Sequence, residues 1–361
     1  VTTLDLGLDA RFFNDALGVT FDWYNRTTSD ILTTANLPAT LGADAPYENM
    51  GTIQTKGWEL AIDYRHTFKN GLHFGVTASV ADDKTEVTKW TYNTKIPSYG
   101  ATGWWDKSAY KEGMVLGDIW GLQFDRFLTE DDFNADGSLK AGLPDQTKVF
   151  PAGYQFAPGD VLYKDLDNNG EIVKQTNTND KGDLSVIGNA LPRLQFGLNL
   201  DAAWKGFDIS MFFQGVAKRK LWAAGNQVLP GFTTGEPFYK GAEDYWTPEN
   251  TDAFYPRPMD YKQSASGNYS VNDRYLLNMA YLRLKTFTVG YSLPKVWLSK
   301  FKVQGLRVYF TGENLFTIDG VKPAIDPEIG IRTASGKSDQ RNFGRSYPYQ
   351  KTVSFGIQLS L

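Results

Sequence analysis

Residues 351–361 read KTVSFGIQLSL, with Val353, Phe355, Ile357, Leu359 and Leu361 apolar and the residues between them polar or small. Successive side chains of a strand point to opposite faces, so this spacing builds one apolar face and one polar face. The same period recurs along the chain. Leu4, Leu6, Leu8, Ala10 and Phe12 form one row; Leu17, Val19, Phe21 and Trp23 form the next. Trp58, Leu60, Ile62 and Tyr64 precede Leu72, Phe74, Val76, Ala78 and Val80, with Asn70-Gly71 between them as a hairpin signal that predicts positive φ angles. Phe196, Leu198, Leu200, Ala202 and Trp204 are joined through Lys205-Gly206 to Phe207, Ile209, Met211 and Phe213. Leu282 and Leu284 are out of phase with Phe287, Val289 and Tyr291, which predicts a β-bulge near Lys285-Thr286. Leu306, Val308 and Phe310 complete the set, and helix is predicted only in short pieces such as 294–300.

The connections between these rows are unequal. Those near 13–16, 67–71 and 205–206 are tight and 292–303 is moderate, whereas 27–56, 81–193, 216–280 and 315–351 are long and rich in Gly, Pro, Asn, Asp and aromatics. A soluble sandwich distributes its loops more evenly over both ends. Short turns at one end and long loops at the other are the pattern of a transmembrane antiparallel β-barrel, with the long loops extracellular. The expected fold class is therefore all-β, with 81–193 as a large extracellular loop region. Taking the tight turns as periplasmic gives nine strands that start outside and end inside. Bacterial single-chain barrels have an even number, so parity predicts an odd number of strands upstream of Val1, unless the alternation at 116–127 adds one membrane strand.

Composition narrows the function. The chain has 361 residues, 14% of them aromatic, an excess suited to surfaces that are apolar at one end and wet at the other. A net charge of −4 supplies no basic field for nucleic acid. The absence of Cys removes thiol chemistry and disulfides. The only two His, His66 and His73, flank one tight hairpin. There is no H-E-x-x-H, no G-x-S-x-G, no phosphate-binding loop and no dinucleotide fingerprint. A glycosidase carboxylate pair among loop acids such as Thr129-Glu130-Asp131-Asp132 is a chance expectation in so acidic a set of loops. The expectation is a protein that is not an enzyme.

Two loop features carry ligand chemistry. Asp165-Leu166-Asp167-Asn168-Asn169-Gly170 places side-chain oxygens at positions 1, 3 and 5 before a turn glycine, as in the first half of an EF-hand calcium loop. Position 12 is Thr176 instead of Glu, and Asp183 is the candidate replacement, giving Asp165, Asp167, Asn169 and Asp183 as a Ca2+ set; the alternative is an Asx-rich turn without an ion. The loops also hold Trp90, Tyr92, Tyr99, Trp104, Trp105, Trp222, Tyr239, Tyr245 and Trp246. Exposed rings stack on sugars or on a partner; buried ones form the core of a loop layer. The candidates for substrate or lid contact are Trp104 and Trp105, behind flexible glycines, together with Trp90 and Tyr99.

A series of motifs then points to one family. They are FFNDALGVTFDWY at 12–24, NMGTIQTKGWEL at 49–60, EGMVLGDIWG at 112–121, GDVLYKDLDNNG at 159–170 and VIGN at 186–189. GFDISMFFQ at 206–214, YWTPEN at 245–250, YLRLKTFTVGYSLP at 281–294, NLFT at 314–317, DPE at 326–328 and YPYQ at 347–350 follow in order. With these the chain resembles the C-terminal barrel portion of SusC/RagA-like TonB-dependent outer-membrane transporters. The resemblance implies the last nine strands of a 22-stranded barrel with a plugged lumen, importing oligosaccharides or, less often, peptides. It implies partners as well: a SusD-like surface lipoprotein as lid, outer-membrane lipid around the wall, and TonB, contacted through an N-terminal part with the plug domain that this sequence does not include. The chain departs from the pattern in ending on Leu361 instead of an aromatic, and in an insertion after the acidic loop. The rival readings are a secreted β-rich glycan-binding module, whose apolar rows would enclose a core, and a glycosidase.

Overall fold

The computed structural model describes residues 1–34, 42, 46–91, 110–174, 180–223, 225–232, 238–259, 267–298, 303–322, 325–328, 333–334, 337–338 and 349–360. Nine long strands form one sheet: β1 (Thr2–Phe12), β2 (Leu17–Thr34), β3 (Tyr47–Thr67), β4 (His73–Trp90), β5 (Arg193–Trp204), β6 (Phe207–Lys218), β7 (Tyr281–Ser292), β8 (Gly305–Asp319) and β9 (Thr352–Ser360). Each pairs antiparallel with the next in chain order, with no crossover. β4 pairs directly with β5, from His73 opposite Ala203 to Ala81 opposite Gln195. The alternation at 116–127 therefore adds no strand to this sheet. It forms two small ladders elsewhere, Asp118–Gly121 with Ser185–Asn189 and Phe124–Phe127 with Val161–Tyr163.

The register converts the sequence rows into faces. Phe12, Leu17, Tyr64, Val76, Leu200, Met211, Phe287, Gly312 and Val353 are successive cross-strand partners, so one row crosses all nine strands. Asp9, Thr20, Ala61, Ser79, Gly197, Gln214, Arg283 and Thr317 form a row on the other face. The apolar face is uncovered: Phe355 is 82% and Ile357 74% exposed. Leaving a large apolar side chain in water forfeits about 1.5–3 kcal/mol of transfer free energy, so a face carrying dozens of them is built for a nonaqueous surrounding. The polar face is stitched by cross-strand pairs, Arg11 to Asp63 at 2.8 Å, Thr20 to Asp9 at 2.7 Å and Arg307 Nε to Asp208 at 3.0 Å. Several glycines let a ring lie flat across the neighbouring strand. A Cβ on Gly57 would sit 2.4 Å from the Tyr24 ring, and one on Gly356 2.2 Å from that of Tyr309.

The turns follow local chemistry. Lys205 and Gly206 both adopt positive φ, 49° and 88°, which makes the two-residue turn whose twist matches the strands it joins. At Asn70-Gly71 only Gly71 is left-handed, at 82°. The connection closes over the tight turn expected at 67–71: Phe68 N–H donates to Leu72 O, and the Asn70 side chain accepts from Leu72 N–H. The bulge predicted near Lys285-Thr286 is present, as a register shift between Leu284 and Thr286 against β8. The helix predicted at 294–300 is the single turn Lys295–Leu298.

Three strands outrun their apolar rows. β2 and β3 continue pairing through Thr27-Thr28 and back to Tyr47, and β4 continues to Trp90. These extensions carry Thr, Asn, Lys and Glu on both faces, so no alternation marks them; they are held by the backbone ladder and by pairs such as Thr55 with Thr85, 2.8 Å apart.

Candidate functional site

The long connections all leave the same end of the sheet, and the buried residues gather there instead of against the wall. In one cluster Leu221, Trp222, Val228, Leu229, Tyr255, Tyr269, Tyr275 and Leu277 from the β6–β7 connection pack with Ile119 and Ala190 from the β4–β5 connection and with Val321 and Ile325 after β8. In a second, Leu122, Phe127, Phe150, Val161, Tyr163 and Ile172 of the β4–β5 connection enclose Trp246 and Ala253 of the β6–β7 connection. Each cluster draws residues from both connections. They fold as one cap.

Polar side chains rivet the two halves. Asp160 is fully buried and accepts hydrogen bonds from Tyr154 Oη at 2.8 Å, Arg257 Nε at 2.8 Å, Asn268 Nδ2 at 3.0 Å and Ala157 N–H at 2.9 Å. Burial, and then the Asp160 charge, push the Tyr154 hydroxyl far above its ordinary range. Gln146, also buried, donates to Val161 O and accepts from Tyr163 N–H. The Arg274 guanidinium lies 4.3, 4.9 and 5.5 Å from the ring centroids of Phe124, Phe127 and Phe254 and donates to the carbonyls of Ala253 and Phe254. At the cap's edge, Asp132 takes a bidentate pair from Arg126 at 2.6 and 2.8 Å. That guanidinium holds the Asp132 carboxyl down to about 2.

A further charged cluster ties the β8–β9 connection to the wall. Arg283 pairs with Asp326 at 2.8 Å, Lys285 with Glu328 at 2.7 Å, and the Tyr349 ring covers both cations. The motifs YLRLK, DPE and YPYQ were each visible in the sequence, but their joining here was not. A strand that places Arg and Lys two residues apart was the available signal.

The acidic loop brings its three predicted carboxylates together. Asp165, Asp167 and Asp183 each offer a carboxylate oxygen within 4.8 Å of the others. Asp183 is fully buried and its two oxygens accept Leu166 and Val173 N–H, which fixes its position under the loop. Asp165 accepts Gly170 N–H through Oδ2, while its buried Oδ1 has no hydrogen-bond partner. Burial, then the charges of Asp183 and Asp165, push the Asp167 carboxyl up. Asn169 adjoins the cluster through its amide: its Nδ2 donates to Asp167 Oδ2 at 3.0 Å, and its Oδ1 accepts Glu171 N–H. Thr176 lies outside the described residues.

Of the aromatic candidates, Tyr99, Trp104 and Trp105 lie outside the described residues, as does Tyr92. Trp90 is buried, laid across Gly51 and edge-on to Tyr110 with ring centroids 5.0 Å apart. Trp222 and Trp246 are core residues of the cap. Tyr239 and Tyr245 stay exposed, and with Phe238, which sequence reasoning passed over, they border a pocket of about 670 Å3. Its remaining lining includes Pro230, Tyr255, Pro256, Pro258, Met259 and Tyr269, with Lys240, Glu243 and Arg257 as the charged groups.

Comparison with known proteins agrees with this architecture. Residues 1–149 match the family model described as TonB dependent receptor-like, beta-barrel. TonB-dependent receptor P3 of Formosa agariphila is 28% identical over 99% of this chain and 33% of its own length. TonB-dependent receptor SusC of Bacteroides thetaiotaomicron is 23% identical over all of this chain and 31% of its own. The chain thus spans about a third of the length of the curated relatives it matches. Among solved structures, that of the RagAB peptide transporter superposes with a TM-score of 0.65 at 19% identity, covering 99% of this chain and 34% of the other.

Proposed function

We propose that the chain belongs to the TonB-dependent receptor β-barrels of the SusC and RagA kind and forms part of the wall and vestibule of an outer-membrane nutrient importer. The family consists of receptors and transporters, not enzymes. The observation that carries the reading is the division of the sheet into an uncovered apolar face and a salt-bridged polar face, capped at one end by folded loops. In the bilayer the apolar face meets lipid, the polar face lines the lumen, and the cap stands outside the cell. The edges of β1 and β9 pair with further strands of the barrel, because no backbone group can stay unpaired in hydrocarbon. The substrate is an oligosaccharide or a peptide, a SusD-like lipoprotein docks on the cap, and TonB supplies the energy through the rest of the protein. The test is uptake by cells expressing the full-length protein. Accumulation of labelled oligosaccharide or peptide should require both the protein and the proton-motive force, and the lipoprotein should co-purify. Accumulation that survives loss of either requirement would overturn the reading.

We also propose Ca2+ in the acidic loop, held by Asp165, Asp167 and Asp183. The donor set is all hard oxygen, and the unpartnered Asp165 Oδ1 beside two other carboxylates is the observation that favours it. The ion would offset the mutual repulsion of the carboxylates and rigidify the loop. Chelation of the full-length protein should speed proteolytic cleavage near 165–183, with protection restored by Ca2+ and not by Mg2+. Identical cleavage with and without chelator would leave the loop as an Asx turn.

A further inference from the structure

On the outward side of the sheet the register sets two cations side by side. Leu4, Asn25, Lys56 and Lys84 are successive cross-strand partners, so Lys56 lies directly opposite Lys84. Like charges so placed destabilise a strand pair, and an anion beside them offsets the repulsion. Lys84 has one in Glu86, 3.4 Å away, but both side chains are about half exposed and water weakens the pair. Among the described residues no carboxylate is paired with Lys56. Asp82, one row nearer the tight turns, is taken by Arg193, whose Nη2 lies 2.7 Å from its Oδ2. Asn25 completes the row with an amide whose Oδ1 is buried and has no hydrogen-bond partner.

The level of this row follows from its neighbours. The next outward row toward the tight turns is Leu6, Trp23, Trp58 and Asp82, about 7 Å away along each strand. Adjacent indoles mark the headgroup level of a barrel wall. At the opposite end of β3 the His66 ring stacks with Tyr64 and meets Phe68 edge-on, at centroid distances of 6.3 and 4.6 Å. Lys56 and His66 are ten residues apart on that strand, about 33 Å of extended chain. A tilt of about 40° reduces this to about 25 Å, the height of a barrel's lipid band. Lys56 and Lys84 therefore stand at the edge of the band nearest the cap. The row is local. On β6–β8 the outward residues at that end are Phe213, Leu282, Leu284, Phe316 and Ile318, and Lys285 is held by Glu328 at 2.7 Å.

We propose, resting on the importer reading, that Asn25, Lys56 and Lys84 bind the phosphate of a glycolipid in the outer leaflet, its acyl chains lying down the wall past Trp23 and Trp58. Two opposed ammonium groups match a phosphate monoester, which carries nearly two negative charges at neutral pH. A zwitterionic headgroup brings a cation of its own and gains less from the row. The importer reading puts the cap outside the cell, and the row with it, which selects the outer leaflet.

The test uses the full-length protein in detergent, with bisphosphorylated lipid A, its dephosphorylated form and inorganic phosphate as probes, and native mass spectrometry to count bound lipid. Wild-type protein should hold the phosphorylated form about 25-fold more tightly than the other, at about fivefold for each lysine. Lys56→Gln combined with Lys84→Gln should abolish that preference while heat-modifiable migration stays unchanged. Glu86→Gln, which removes the competing carboxylate, should strengthen it. A preference that survives the double substitution overturns the assignment, as does its absence from the wild type or its weakening in the Glu86 variant. So does displacement of lipid A by millimolar inorganic phosphate, which would make the row a site for a free anion. Energised uptake without the phosphate preference defeats this assignment alone, whereas uptake independent of the proton-motive force defeats the importer reading whatever the row binds.

Discussion

The wall and the cap solve opposite problems with the same residue types. In the wall, Leu200, Met211, Phe287 and Phe355 point away from the protein, and the polar face holds the charge pairs. In the cap, Leu229, Tyr275, Phe150 and Tyr163 point inward, and charged groups enter the interior only where each is met, as Asp160 is by four donors. The wall needs an external apolar phase to be stable; the cap carries its own. The contrast explains why strands of modest hydropathy can span a membrane: alternation spends only half of each strand on lipid. It also separates the two units mechanically, because damage to the cap core need not open the wall.

That separation can be broken by substitution. The largest effect is expected from Asp160→Ala, which strands the Arg257 guanidinium and the Tyr154 hydroxyl in the cap interior and should cost about 3–5 kcal/mol. Limited proteolysis should then cut within 146–163 or 253–270, while the barrel keeps its heat-modifiable migration; loss of both together would show that wall and cap unfold as one. Leu200→Arg tests the other side. A cation in mid-row on the lipid face should cost about 2–4 kcal/mol and reduce the amount of inserted protein, with the cap unaffected in whatever does insert. Equal insertion of the variant would deny that this face meets lipid.

A smaller effect should come from acid. The Asp132 carboxyl is held at about 2 against an ordinary 3.8 by Arg126. A depressed carboxylate stabilises the folded state above its unfolded value, and that contribution fades as pH falls from about 4 toward about 2. Asp132→Asn should therefore raise cap proteolysis at pH 7 and flatten its rise between pH 4 and pH 2. An unchanged acid profile would mean that the Arg126 pair contributes nothing measurable. Because the pair is partly exposed, its contribution is modest.

The wall was legible because its rule is local. Two-residue alternation marked all nine strands, the phase break at Lys285 marked the bulge, and unequal connections marked the two ends. The polar extensions of β2, β3 and β4 escaped because they carry no face to read; they exist through pairing with a neighbour, which alternation does not record. The candidate site was less legible. Asp165, Asp167 and Asp183 meet as their spacing suggested, and the Asn169 amide is hydrogen-bonded to Asp167 beside them. Trp90 was marked as a ring for contact, whereas the space left by Gly51 on the next strand takes it in.

The faces of the nine strands follow from local sequence, since a period of two needs only the geometry of an extended chain, whereas the absence of a strand from 116–127 between β4 and β5 came only with their pairing. Tertiary structure decided which loop residues are buried and which stay exposed. Trp222, Trp246, Tyr239 and Tyr245 are alike in composition and setting, and only the packing of one long connection against another sends the first two inward and leaves the others at the rim of a pocket. Those contacts join residues more than a hundred positions apart, as between Val161 and Asn268. No local pattern encodes them, because their free energy comes from surfaces that exist only once both connections have folded.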